Sequence, residues 1–401
     1  MERALKPAAG ADPPLFVGAM HGVRGVAVLI VVLLHLVLNS RWLPNNDVAS
    51  SLIGASFLSL NALFFTTGFV LFLPVALKGS LGDLRSWGIR RFARIVPAYY
   101  VCLLVILLAY PLLAGDVVDD GTHHGVTDYL IHLVFLQREL IPSGPGLGVN
   151  GPVWALSMDF TFYLLLPLIA GAYLRHPLVG LAIGLGISLV WRIALIEPID
   201  ATSLRDGVFD LPIQFPLFVG DFAAGMTGAW LLVKLRRSER PLLTPGRAAV
   251  VAAAACAGLL ALTYRAGRDL PFFPAVFMEP TPIAVAFPVV LMVFVVSIAR
   301  APGWAQWPLT NRVSFWFSEI TYSVYLYHTL AIVFAFETLG LTANGSQRSL
   351  LNLTAVVIPI TLALAVLSYR FVEVPARRYG RTLAKRLSRA SSARESRLST
   401  Q

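Results

Sequence analysis

Met20-His21-Gly22-Val23-Arg24-Gly25-Val26-Ala27-Val28-Leu29-Ile30-Val31-Val32-Leu33-Leu34-His35-Leu36 is an apolar run with an arginine near its entrance and a histidine deep inside it. Coiled as a helix, the run puts Arg24 and His35 about three turns apart, on one face and roughly 16 Å distant along the axis. A histidine is costly in hydrocarbon, so it is kept turned towards a bundle interior or a wet cavity. Two roles are open to it on this evidence: a hydrogen bond to a neighbouring helix, or one end of a reactive site.

The rest of the chain is equally apolar. Hydrophobic residues fill 57% of 401 positions and charged residues only 13%, with a mean hydropathy of +0.72. That balance excludes a soluble globular protein and defines an all-α, polytopic membrane class. The two cysteines, Cys102 and Cys256, lie in apolar runs, which excludes a disulfide framework and a cysteine metal site; no metal is expected. Arg3 and Lys6 precede the first run by some fifteen residues, and Asn39-Ser40-Arg41-Trp42 follows it without a small-residue cleavage site. A retained first helix is expected, not a signal peptide.

At about 20 apolar residues per span, about ten transmembrane helices are expected: 23–39, 52–77, 95–114, 152–174, 178–196, 212–235, 247–264, 283–299, 317–339 and 351–371. Tyr129–Leu136 is too short to span and suggests an interfacial or re-entrant piece. With the N-terminus inside, 25 of the 32 Lys and Arg residues fall on the inner side and 6 outside, Arg192 lying within a span. Both termini are therefore expected to be cytoplasmic, in a multi-pass protein of the plasma membrane. The net charge of +10 then reports topology, and no nucleic-acid partner is implied. Three parts follow: a cytoplasmic segment 1–22, a transmembrane core 23–375, and a basic, disordered cytoplasmic tail 376–401 that could lie against anionic lipid. The outer segment 115–151, with Asp116, Asp119, Asp120, Asp128, Glu139 and the run Pro142–Gly148, is long enough for a lid or cap.

Polar groups inside the apolar runs mark the candidate chemistry. Arg91 and Arg94 are i,i+3 neighbours, and two guanidinium forks on one face can grip phosphate; the bland alternative is positive-inside anchoring. Asp159, in Trp154-Ala155-Leu156-Ser157-Met158-Asp159, lies at about the depth of His35, so the two could form a base and its orienting acid. Tyr325 and His328 share a face in Tyr322-Ser323-Val324-Tyr325-Leu326-Tyr327-His328. A structural Arg370–Glu373 pairing is expected beside Pro375. Asp221 has Arg192 as its candidate partner.

In this order, the Arg24-x10-His35 helix, Phe64-Phe65-Thr66-Thr67-Gly68-Phe69, Arg91-x-x-Arg94, Trp154–Ser157 with Phe162-Tyr163, Tyr322–His328 and Glu373-Val374-Pro375 resemble the integral-membrane acyltransferase type 3 family over roughly 20–378. Each motif is weak alone, and six in order are specific. The resemblance implies transfer of an acetyl or other short acyl group from acyl-CoA to a hydroxyl of a sugar, glycan or secondary metabolite such as a macrolide. It implies acyl-CoA, acetyl-CoA above all, as co-substrate, with no bound cofactor. Arg24 and His35 match the family's first-helix pair, and Arg91 and Arg94 its donor-handling arginines. His35 would take the acceptor's proton, with Asp159, Tyr325 or His328 around it; the family's usual residue at Asp159 is glutamate, one methylene longer. A stand-alone membrane core is expected. The rival is a transporter or flippase for a lipid-linked or anionic solute, using the same buried groups as a pathway; the lack of an internal repeat and the paired arginines favour the enzyme.

Overall fold

The computed structural model describes residues 18–42, 51, 53, 56, 58–113, 126–137, 150–196, 213–238, 243–268 and 281–398, and these contain helices and turns but no strand. In hydrocarbon every backbone N–H and C=O must be satisfied within the chain, and helices achieve this segment by segment. In chain order they are α1 Gly18–Ser40, α2 Leu58–Lys78, α3 Leu84–Leu113, α4 Val126–Leu133, α5 Trp154–Arg175, α6 Pro177–Trp191, α7 Phe215–Arg237, α8 Pro245–Arg268, α9 Thr281–Ile298, α10 Gly303–Thr310, α11 Arg312–Glu337, α12 Gln347–Ser368 and α13 Val374–Leu398.

Among the described residues, eight helices are long and apolar enough to cross a membrane, or nine if α9 and α10, bent by 118°, count as one broken span. The expected span 317–339 corresponds to α11, which is long enough but too polar to be counted with them. The reason lies in its inward face, where Ser318, Thr321, Ser323 and His328 are buried beside Tyr322, Tyr325 and Tyr327. The short piece expected at Tyr129–Leu136 coincides with the eight-residue α4. Most of the outer segment, including Asp116, Asp119, Asp120, Glu139 and Pro142–Gly148, lies outside the described residues.

Two helix starts differ from expectation and shape the site. α1 begins at Gly18, which brings His21 onto the helix ahead of Arg24. α3 begins at Leu84, where Asp83 accepts from the backbone N–H groups of Arg85 (3.2 Å) and Ser86 (3.0 Å) as a cap. Arg90, Arg91 and Arg94 are therefore helical and held in fixed directions.

Close approaches hold the bundle together. Gly68 of α2 lies against the backbone of Phe222, and Gly225 of α7 against that of Phe65, with no room for a Cβ at either position. Lipid gives helices little hydrophobic reason to associate, so small residues that admit a neighbouring backbone carry much of the packing. In the basic tail, α13 runs as a helix to Leu398. Gly380 lets α13 lie on Ala93 of α3, and Ser86 Oγ donates to the Ala384 carbonyl at 3.0 Å. Its high charge hid this docking face, because small residues carry the contact.

Candidate active site

Five helices contribute to one cavity of about 260 Å³. The inward face of α1 presents His21, Arg24 and Val28 to it. α2 adds Thr66 and Thr67, α3 adds Arg91 and Arg94, α5 adds Asp159 and Tyr163, and α11 adds Thr321, Tyr322 and Tyr325. The i,i+3 spacing of Arg91 and Arg94 thus does aim both guanidiniums into the same space, and Arg24 joins them from another helix.

The charges in the lining do not balance. Three guanidiniums face one carboxylate, Asp159, which has Thr67 within hydrogen-bonding reach and Arg24 and Arg94 nearby. Asp159 Oδ1 and Arg91 Nε are buried and have no hydrogen-bond partner among the described residues. A cation deficient in partners and shielded from water is stabilised strongly by an incoming anion, and guanidinium suits phosphate oxygens in a bidentate fit. A fourth guanidinium nearby is already engaged. Arg377 hydrogen-bonds Glu373 and stands 3.7 Å from Glu319, while Tyr369 donates to Glu319 at 2.7 Å and Ser323 to Glu373 at 2.5 Å.

That last arrangement replaces the expected Arg370–Glu373 pairing. A π turn at Tyr369–Glu373 joins α12 to α13 with Glu373 buried, and the i,i+4 relation brings Arg377 onto its face. Arg370 instead lies over the Phe371 ring, 5.9 Å from its centroid. Arg192 and Asp221 line the same small pocket with Asn61, whose Nδ2 donates to Asp221 Oδ2 at 3.0 Å.

His35 and His328 lie apart from the cavity lining. Their rings meet edge to face with centroids 4.9 Å apart. His35 Nδ1 bonds the Val31 carbonyl and His328 Nδ1 the Tyr325 carbonyl, each at 2.8 Å. Against a carbonyl the ring nitrogen must donate, so each neutral imidazole keeps its lone pair on Nε2. His328 Nε2 is buried and without a partner. The expected His35–Asp159 pair is not formed. Equal depth fixes one coordinate only, and α1 packs chiefly on α11 and α2.

Tyr325 connects the two groups. Its ring lines the cavity and stands 6.0 Å from that of His328, with its hydroxyl bonded to the Pro152 carbonyl at the entry to α5. Of the residues singled out in the sequence, Arg24, Arg91, Arg94, Asp159 and Tyr325 share the cavity, while His35 and His328 form their own pair beyond Tyr325. His21, Thr67, Tyr163 and the Glu319–Arg377 pair were not among the expected site residues, Thr67 and Tyr163 standing only within the quoted motifs. Helical spacing could have found two of them, since His21 precedes Arg24 by three residues and Tyr163 follows Asp159 by four.

The chain belongs to the family whose model is described as an acyltransferase domain, which matches residues 17–370. Among curated proteins it is 23% identical to the peptidoglycan O-acetyltransferase OatA of Listeria monocytogenes, over 91% of this chain and 56% of that protein. It is 31% identical to the acyltransferase MdmB of Streptomyces mycarofaciens, over 37% of this chain and 38% of that one. The chain thus spans about half the length of the first of these relatives. No solved structure matches it.

Proposed function

We propose that the protein is an O-acyltransferase of the plasma membrane that moves an acetyl or other short acyl group from acyl-CoA to an acceptor hydroxyl. The observation that carries this is the cavity in which Arg24, Arg91 and Arg94 outnumber the single carboxylate Asp159, adjoining, through Tyr325, the two imidazoles of His35 and His328. Family membership supports acyl transfer, and the arginines support a phosphate-bearing donor. Acyl-CoA enters from the cytoplasmic side, to which the basic residues and both termini are assigned.

Arg91 and Arg94 hold the donor's phosphates and Arg24 adds a third cation deeper in. His35 Nε2 takes the proton of the acceptor hydroxyl as that oxygen attacks the thioester carbonyl; the C–S bond then breaks, and the proton passes to the leaving thiolate. Imidazole is suited to this because it both accepts and returns a proton near neutral pH. His328 packs against the base and limits its rotation. Acceptors fitting this chemistry are sugar or glycan hydroxyls, like those of the peptidoglycan for which one relative is named, and hydroxyls of small secondary metabolites.

The test is turnover of acetyl-CoA by purified protein with panels of glycan and small-molecule alcohols, scored by mass spectrometry for an added acetyl group. Acceptor-dependent release of CoA with matching product is expected. Absence of both acetylated product and CoA hydrolysis, in protein that binds CoA, would remove the proposal.

A further inference from the structure

At the arginine-bearing end of the cavity two aromatic rings meet. His21 is part of the lining, and its Nδ1 and Ser318 Oγ are hydrogen-bonded at 2.7 Å, which holds the imidazole plane in place. The Phe315 ring lies 5.2 Å from it, tilted by 42°, and Phe315 remains 42% exposed. Phe315, partly exposed and in ring contact with His21 of the lining, puts an apolar surface beside the cationic cavity. Phosphates next to an aromatic platform are the two features by which a nucleotide is recognised without reading a base sequence.

We propose that His21 and Phe315 bind the adenine ring of the donor, an assignment that rests on the acyl-CoA reading above. Lengths along α1 support it. His21 precedes Arg24 by one turn, about 4.5 Å along the axis, so a base stacked at His21 has its diphosphate beside Arg24, Arg91 and Arg94. Between diphosphate and sulfur the pantetheine arm has about a dozen bonds. At the advance of an extended chain, about 1.2 Å per bond, it spans about 15 Å. From Arg24 to His35 the helix rises roughly 16 Å. Along α1 the base and the phosphates thus fall at His21 and Arg24, and the arm is long enough to bring the thioester to the level of His35.

The experiment compares two donors on the full chain in detergent: acetyl-CoA, and S-acetyl-4′-phosphopantetheine, which lacks the 3′-phospho-AMP part and keeps one phosphate. Phe315→Ala and His21→Ala should each raise KM for acetyl-CoA about tenfold, as loss of one stacking contact does, and leave KM for the phosphopantetheine donor unchanged. His21→Phe should restore most of the acetyl-CoA affinity. Adenosine 3′,5′-bisphosphate should inhibit the wild type and have little effect on Phe315→Ala. Equal effects on both donors, or none on either, would overturn the adenine site. Wild-type protein that uses neither donor would overturn the acyl-CoA reading itself. Phe315 is exposed, so its variant carries the test even if His21→Ala fails to fold.

Discussion

Arg24 and His35 lie on the same face of α1, yet the two ends of that face serve different surroundings. In the cavity around Arg24 the protein gathers two further guanidiniums from α3 and one carboxylate, Asp159. Around His35 stands a second imidazole, that of His328, and the polar contact is to its own helix backbone. The first region is built to meet charge supplied by a ligand. The second keeps neutral bases available by tying up one nitrogen of each ring. Charge excess suits binding and a free lone pair suits proton transfer, so the division predicts separate effects on KM and kcat.

The largest effect should come from the histidine region. His35→Ala is expected to retain acyl-CoA binding while acyl transfer falls by about 10²–10⁴, the usual contribution of a general base. The measurement is transfer per unit of monodisperse protein, with CoA binding followed separately. An active, well-folded His35→Ala would end its assignment as the base. His328→Ala removes a fully buried ring and should lower both thermal stability and rate.

Next come the arginines. Arg91→Ala or Arg94→Ala should raise the apparent KM for acyl-CoA by about 10- to 100-fold, since each removes charge-assisted contacts of about 1.5–3 kcal/mol. Lysine should rescue only partly because the bidentate fork is lost. Steady-state kinetics checks this, and unchanged KM in both would return these residues to topology alone.

Asp159→Asn sharpens the comparison most directly. If Asp159 serves the arginines, its neutralisation should appear in KM for acyl-CoA and in thermal stability, as loss of one partner from a buried charge cluster does, and not in kcat. The pH profile of kcat should keep its shape. A hundredfold loss in kcat would instead tie Asp159 to the base, as the sequence first suggested.

The smallest effect is expected at Arg370. Arg370→Ala should change stability by within about 0.5 kcal/mol. Arg377→Ala leaves Glu373 buried without its guanidinium and should cost about 3 kcal/mol. Thermal melting of the two variants side by side separates the pairing found from the one expected.

Several features of this protein were legible before any packing was known. The apolar content requires a membrane class, and the helical period alone places Arg24 with His35 and Arg91 with Arg94. Ordered motifs pointed to the family that residues 17–370 match. Partners across helices were not legible in the same way. The sequence puts Asp159 and His35 at one depth, yet Asp159 stands in the cavity with Arg24 and Arg94 while the His35 ring lies against that of His328. The docked tail was hidden for a related reason, because Gly380 and Ala384 make its contacts and both are silent in a charge count.

Period and hydropathy specify where a residue lies along its helix and which way it points. Only the tertiary structure decides which helix stands opposite. That choice depends on where small residues such as Gly68 and Gly225 let two backbones close together, and lipid, as apolar as the side chains it touches, exerts almost no preference of its own.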